Sequence, residues 1–140
     1  GFEFEYHYRP AREKLRKIYV SCDIFLCSSW HEGLGLTGME AMACRCSLVT
    51  TNTGGCLEYA IDGETALVSE SRDIVGLSRN LIRLLENEAL LKSLSEDGYR
   101  KINEFNWEES CDRLICLFNE SLTQGSINVM PKKNKKIFDH

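Results

Sequence analysis

The chain lacks several features that would place it in a familiar class. No stretch is long and apolar enough for a membrane span, because the most apolar run, Ile18 to Trp30, is broken by Asp23 and several serines. The start shows no basic segment followed by an apolar one, so no secretory signal is expected. The seven cysteines form no C-x-x-C knuckle, and Cys44-Arg45-Cys46 is too close for a standard zinc site. Their odd number and apolar neighbours indicate reduced thiols that pack as small hydrophobes, as expected of a cytoplasmic protein without a disulfide framework. Positive charge is scarce outside the end of the chain. Met130 to His140 holds Lys132, Lys133, Lys135 and Lys136 against Asp139, and without it the remaining 13 basic and 20 acidic residues give a net charge of −7. Such a body does not suit nucleic acid, which calls for a clustered positive surface.

What is present is the pattern of an α/β protein. Phe2 to Tyr8 alternates apolar and polar residues, predicting a short strand, and Pro10 ends it. Leu15, Ile18 and Tyr19 give Ala11 to Tyr19 a helical spacing. Asp23 to Cys27 is a short apolar run, as in a parallel strand covered on both faces. A glycine-bearing loop, Ser28 to Gly35, leads to a helix over Leu36 to Cys44. Then come a strand at Ser47 to Thr50, a glycine turn at Thr51 to Gly55, a brief helix at Cys56 to Ile61 and a strand at Thr65 to Ser69. Three helices follow: Asp73 to Leu85, with Ile74, Leu77, Leu81 and Leu84/Leu85 on one stripe, Glu88 to Asn103, and Trp107 to Leu122. This order predicts a Rossmann-like, doubly wound parallel sheet over residues 1–123. With about four strands against the usual six, the domain is expected to be incomplete. Residues 124–140 are expected to form a polar, Lys-rich, disordered tail, with contact to anionic lipid or RNA as the other reading.

Candidate chemistry concentrates in Ser28 to Ala43, S-S-W-H-E-G-L-G-L-T-G-M-E-A-M-A. A strand delivers Glu32 to a loop, and Gly33 and Gly35 precede a helix, the place where open α/β sheets bind ligands. Unpaired N–H groups at the helix start suit an anion or a polyol. Leu36, Glu40, Ala43 and Cys44 share a helical face, which sets the Glu40 carboxylate on an apolar stripe. Two readings of Glu40 stand here: a buried carboxylate held by a donor such as a ribose diol, or a carboxylate at the stripe's edge that reaches water. Other templates fail. The second histidine of a zinc protease motif is Gly35 here, no P-loop Gly-Lys-Ser/Thr occurs, and there is no D-x-D pair. Gly33 to Gly38 spells G-x-G-x-x-G, yet the only acid some 20 residues on, Glu58, falls in a predicted helix rather than a strand.

The order of short motifs resembles the retaining "group 1" glycosyltransferases of GT-B architecture and their E-x7-E element. The matching residues are Ile24-Phe-Leu, Ser28/Ser29, Glu32-Gly-Leu-Gly-Leu36, Glu40-Ala-Met-Ala43, Leu48-Val-Thr, Thr53-Gly-Gly-Cys-Leu-Glu58, Asp62-Gly-Glu-Thr-Ala-Leu-Val68 and Phe105-Asn-Trp107. The resemblance runs over about residues 8–120. It departs where Arg45 stands for a usual glycine, Ser47 for a proline and Leu34 for a common phenylalanine.

The resemblance implies a C-terminal, donor-binding half that transfers a sugar from a nucleotide-diphosphate sugar to an acceptor hydroxyl with retained configuration, in polysaccharide or glycoconjugate biosynthesis. Glu32 would face the donor sugar near the reacting carbon. Gly33, Leu34, Gly35, Leu36 and Thr37 would meet the sugar and diphosphate, and Glu40 would hold the ribose hydroxyls. The helix start would stabilise the leaving diphosphate, with no metal and no cofactor beyond the donor substrate. Gly54-Gly55 would shape a turn beside the site. Tyr8 and Arg9 fall where the family contacts the nucleobase, Arg9 having a plain surface role as its other reading. His31 would border the sugar, Trp30 would pack, and Trp107 would be core or a helix staple. The acceptor, a glycan or lipid-linked glycan, would be met by an N-terminal domain, with the possibility of peripheral association at the cytoplasmic face of the membrane. A fragment of this kind is expected to turn over little by itself. The reading from another class is a non-catalytic nucleotide-binding or assembly module on the same fold, against which both glutamates and the glycines between them argue.

Overall fold

The computed structural model describes residues 3–123. Three strands, β1 (Ile24–Cys27), β2 (Ser47–Thr51) and β3 (Ala66–Ser69), pair in parallel in that order. Ile24 stands beside Ser47, and Leu48 beside Ala66. Around them lie α1 (Arg12–Val20), α2 (Leu36–Ala43), α3 (Ile74–Leu85) and α4 (Glu88–Ile102).

The period of two along β2 sorts the core into two layers. Leu48 faces Met42 of α2 with Tyr59, Ala60 and Ala66, whereas Val49 and Leu67 face Leu77 and Leu84 of α3 and Leu94 of α4. All five residues of β2 are buried, as the centre of a doubly wound sheet requires. Tyr19 of α1 packs edge-on against Phe25, at 5.7 Å between ring centroids, and joins α1 to Ala41 and Cys46. α4 crosses from one face to the other: Leu90, Leu91 and Leu94 pack under α3, while Ile102 reaches the Met42 layer. Asp73 and Asn87 cap α3 and α4 by accepting from the Gly76 and Leu90 amides.

Several expectations are corrected. Residues 3–8 form no strand, and Phe4 and Tyr6 are 89% and 80% exposed. An alternating segment becomes a strand only where a neighbour completes its ladder and a surface covers one face, and neither is met here. The described sheet therefore has three strands rather than about four. For the same reason β1 is an edge, not a strand covered on both faces, and Leu26 is exposed. On α3 the buried stripe is Gly76, Leu77 and Leu84, whereas Ile74 and Leu85 at the two ends face solvent. The brief helix after the glycine turn is a tighter 3-10 turn, Gly55–Glu58.

Residues 106–123 belong to a separate unit. Its helix α5 (Trp107–Thr123) carries Leu114, Ile115, Phe118 and Leu122 at helical spacing, each more than half exposed. Trp107, expected in a core or a staple, is 82% exposed. The Lys-rich tail lies outside the described residues.

The departures at Arg45 and Ser47 have a structural account. α2 ends in a Schellman motif, with the Cys46 amide donating to the Ala41 carbonyl and the Arg45 amide to that of Met42. Arg45 takes the left-handed position of that motif at φ 67°. Its guanidinium pairs with Glu96 and lies 4.0 Å over the Tyr99 ring, and the Ser95 hydroxyl donates to its carbonyl. Ser47 keeps an amide that donates to the Asp23 carbonyl and a hydroxyl that donates to the Leu91 carbonyl, neither of which a proline at that position could supply. Arg45→Ala keeps the backbone strain and loses the α4 contacts, so it should be less stable than the parent. Arg45→Gly loses the same contacts but relieves the strain, so it should be more stable than Arg45→Ala and close to the parent. Urea denaturation of the two variants checks the order.

Candidate functional site

The site is built at the carboxyl ends of β1 and β2. The Glu32 backbone bridges to Gly54, so the loops after the two strands run side by side. A Cβ on residue 55 would sit 1.9 Å from the Gly33 carbonyl oxygen, so only glycine fits there. The turn that follows carries Tyr59 inward, and its hydroxyl donates to the Gly35 carbonyl at 2.7 Å. Gly35, at φ 76°, caps α2 without a side-chain acceptor, in contrast to α3 and α4. The start of α2 therefore keeps outward amides with no side chain accepting from them.

Glu32 is half-buried and accepts from the Ser29 hydroxyl at 2.6 Å. The Thr51 hydroxyl donates in turn to the Ser29 carbonyl, tying this loop to β2. Glu32 and Thr37 line a cavity of about 470 Å³ together with Ser28, Ser29, Tyr19 and His7. Glu40 lines a neighbouring cavity of about 440 Å³ between α1 and α2, with Arg12, Arg16 and Tyr19. Leu15 and Tyr19 belong to both and form the wall between them.

Glu40 is not on a buried stripe. The buried face of α2 is Gly38, Ala41 and Met42, and Leu36, Glu40 and Ala43 lie on the exposed side. The strands pack against the small and flexible residues of this short helix, which turns the carboxylate into an open groove. Its one hydrogen-bond partner among the described residues is the Tyr19 hydroxyl, at a long 3.4 Å. Burial, then the Glu40 carboxylate, pushes the Tyr19 phenol up to about 12, so it stays protonated and donates. Burial likewise raises Tyr59 and lifts the Cys46 thiol to about 11.

Of the residues singled out in sequence, Glu32 and Thr37 share one cavity and Glu40 borders the next, with Gly35 and Leu36 at the helix start. Gly33, Leu34 and His31 are exposed on the loop and line neither cavity. Tyr8 and Arg9 are exposed as well, stacked on each other at 5.5 Å, and end no strand. His7 takes the place beside the cavity instead. Tyr59, Tyr19, Ser29 and His7 carry the site's geometry without having been assigned a role in it. Tyr59 had one signal, an aromatic directly after the glycine-glycine element.

Two loops from successive parallel strands thus hold a carboxylate over a cavity at the start of a helix, the ligand site of a doubly wound α/β protein. Residues 4–101 match the sequence profile of the glycosyl transferases group 1 family, and the chain belongs to it. It is 31% identical over 101 residues to an uncharacterised glycosyltransferase of Methanocaldococcus jannaschii, covering 72% of this chain and 29% of that one. It is 26% identical over 113 residues to an N,N'-diacetylbacillosaminyl-diphospho-undecaprenol alpha-1,3-N-acetylgalactosaminyltransferase of Campylobacter jejuni, covering 81% and 30%. The crystal structure of the C-terminal domain of a glycosyl transferase group 1 family protein from Francisella tularensis superposes with a TM-score of 0.65 at 25% identity, covering 71% of this chain and 51% of that one. The fold is that of a C-terminal GT-B domain, in part. The chain spans less than a third of the length of these two curated relatives.

Two outcomes follow from the geometry. Gly55→Ala should destabilise the chain by at least about 2 kcal/mol, since the Gly33 backbone must move away from the new methyl. Tyr19, Tyr59 and Cys46 all have raised pKa values in the fold. Their contribution is complete below the unfolded values of 10.0, 10.0 and 9.0, and it is lost as pH rises through the folded ones, about 12 for Tyr19 and about 11 for Cys46. Thermal stability should fall progressively above pH 9, with a smaller fall in Tyr19→Phe, as circular dichroism melts at stepped pH will show.

Proposed function

We propose that the chain is the donor half of a glycosyltransferase that binds a nucleotide-diphosphate sugar and passes the sugar to an acceptor hydroxyl with retained configuration. The observation that carries this reading is the pair of adjoining cavities divided by Leu15 and Tyr19, one holding Glu32 and Thr37 and the other Glu40. A nucleotide sugar is itself bipartite, with a diol at one end and a pyranose at the other, joined by a diphosphate. Glu40, open to the groove and weakly held by Tyr19, accepts from the two ribose hydroxyls. The uncapped amides of Leu36 and Thr37 face the diphosphate, where the helix dipole favours negative charge. Glu32, fixed by Ser29, orients the sugar.

In the transfer, the acceptor oxygen bonds to the anomeric carbon on the face that the diphosphate leaves. The carbon–phosphate-oxygen bond breaks with its electron pair on the diphosphate, and the hydroxyl proton departs with the leaving group. Positive character grows on the sugar beside Glu32, and negative charge grows at the start of α2, so both are met by groups already in place. No metal enters this scheme, which rests on the missing D-x-D pair. The acceptor, a glycan or a lipid-linked glycan, is met by an N-terminal domain, and the cysteine usage favours a cytoplasmic setting. No helix among the described residues is long and apolar enough to cross a membrane.

Isothermal titration of uridine, guanosine and thymidine diphosphates against the chain tests the donor site. One of them should bind with a Kd of roughly millimolar or tighter, and Glu40→Ala should weaken it about tenfold, the loss of a charge-assisted pair of hydrogen bonds. Absence of binding by all three, or binding indifferent to Glu40→Ala, overturns the proposal.

A further inference from the structure

The loop that carries Glu32 is held from a second side by the segment after β3. The Ser71 hydroxyl donates to the Trp30 carbonyl at 2.8 Å, and the Arg72 guanidinium lies 4.8 Å over the Trp30 ring. Arg72 makes that contact from a left-handed backbone at φ 70°, a conformation that side chains other than glycine's rarely adopt. Strain held in place beside a candidate site is itself a pointer to function. The indole it steadies is not packed away. Trp30 is 64% exposed, lines neither of the two cavities, and its ring N–H finds no acceptor among the described residues.

These facts place a flat, rigid aromatic surface two residues from Glu32, on the β3 side of its loop. The cavities assigned to the donor are lined by α1 residues, Leu15 and Tyr19 among them, and not by Trp30. An exposed indole backed by a guanidinium offers one free face of negative quadrupole, flanked by N–H donors. A pyranose has the complementary make-up, with axial C–H groups on one ring face and hydroxyls around the rim.

Building on the donor-site reading, we propose that Trp30, braced by Arg72 and Ser71, is a stacking platform for one saccharide ring of the acceptor, on the far side of Glu32 from the nucleotide, with the rest of the acceptor left to the N-terminal domain. Trp30 supplies the free ring face and its indole N–H meets a hydroxyl at the rim, while Arg72 backs the other face and holds the indole in place. Trp30 sets which saccharide is seated and takes no part in bond breaking.

Saturation-transfer NMR on the chain, with the methyl α-glycosides of glucose, galactose, mannose and N-acetylglucosamine as probes, tests this. At least one glycoside should receive transfer at its ring C–H protons. That transfer should fall about fivefold in Trp30→Ala, a typical loss for one ring stack, and be partly kept in Trp30→Phe. Arg72→Gly should lower it while leaving thermal stability about unchanged, because relief of the left-handed backbone offsets the lost ring contact, so a drop in transfer there cannot come from unfolding. Titration with nucleoside diphosphate on the same samples reads the donor site separately, and its affinity should stay within about twofold in every variant, as expected for sites with no shared contacts. Diphosphate binding without any glycoside transfer, or transfer unchanged in Trp30→Ala and Trp30→Phe, overturns the platform and leaves the donor reading standing. Transfer abolished by saturating diphosphate places the ring in the donor cavity and overturns the acceptor-side assignment.

Discussion

Between the loops after β1 and β2 the two backbones touch, with the Gly33 carbonyl lying where a side chain on residue 55 would have to be. This contact holds only because residue 55 is glycine, and it fixes more than a turn. It sets Glu32 beside Gly54, and it starts the 3-10 turn that swings Tyr59 into the core. The Tyr59 hydroxyl then reaches the Gly35 carbonyl, which fixes where α2 begins. Loop, turn and helix start become one rigid piece, and the carboxylate, the cavity and the open amides move together or not at all. Preorganisation of this kind is what lets fixed dipoles act on a charge that develops elsewhere.

The two glutamates differ in how they are held, and the difference matches the work proposed for each. Glu32 is half-buried and accepts a short hydrogen bond from Ser29, itself anchored through Thr51 to the central strand. Its position is settled before any ligand arrives. Glu40 is exposed and has only the long contact from Tyr19. An exposed carboxylate costs little to keep charged, and a weak partner is readily displaced by a better donor. A group that orients a reacting ring is best fixed, whereas one that only grips hydroxyls can be left free to close on them.

Much of this was legible in the sequence, because the signals were local. β2 and β3 reveal themselves by short apolar runs between glycine turns, and α3 by its periodic leucines. The Glu32 and Glu40 spacing also places both acids correctly around the start of α2. What failed depended on partners that sequence does not display. Phe4, Tyr6 and Tyr8 alternate like a strand, but a strand exists only with a neighbour. Glu40 keeps two readings in the sequence, buried on the stripe or reaching water, because the helical period says which residues share a face without saying which face the sheet covers; the structure has the second. For an eight-residue helix whose small residues Gly38 and Ala41 fit against the core, the outward face can carry Leu36 as well as a carboxylate. Tyr59 was hidden for a third reason, since its role follows from a contact across 24 residues of chain.

Among the described residues, the three other than glycine with positive φ are all arginines, Arg9, Arg45 and Arg72, and each lies over an aromatic ring. A left-handed backbone costs a side-chain-bearing residue about 1 kcal/mol, and an exposed cation–π contact returns about 0.5–1 kcal/mol, so each pairing comes close to neutral. The partners, however, differ in consequence. Arg9 stacks on its own neighbour, Tyr8, and binds nothing distant together. Arg45 stacks on Tyr99 and ties the end of α2 to α4, which is how the chain keeps the family's turn without the family's glycine. Arg72 stacks on Trp30 and ties the loop after β3 to the loop that carries Glu32. At that last position glycine would satisfy the backbone equally well and leave the indole unsupported. The arginine is therefore accounted for by what it holds, not by the turn it occupies.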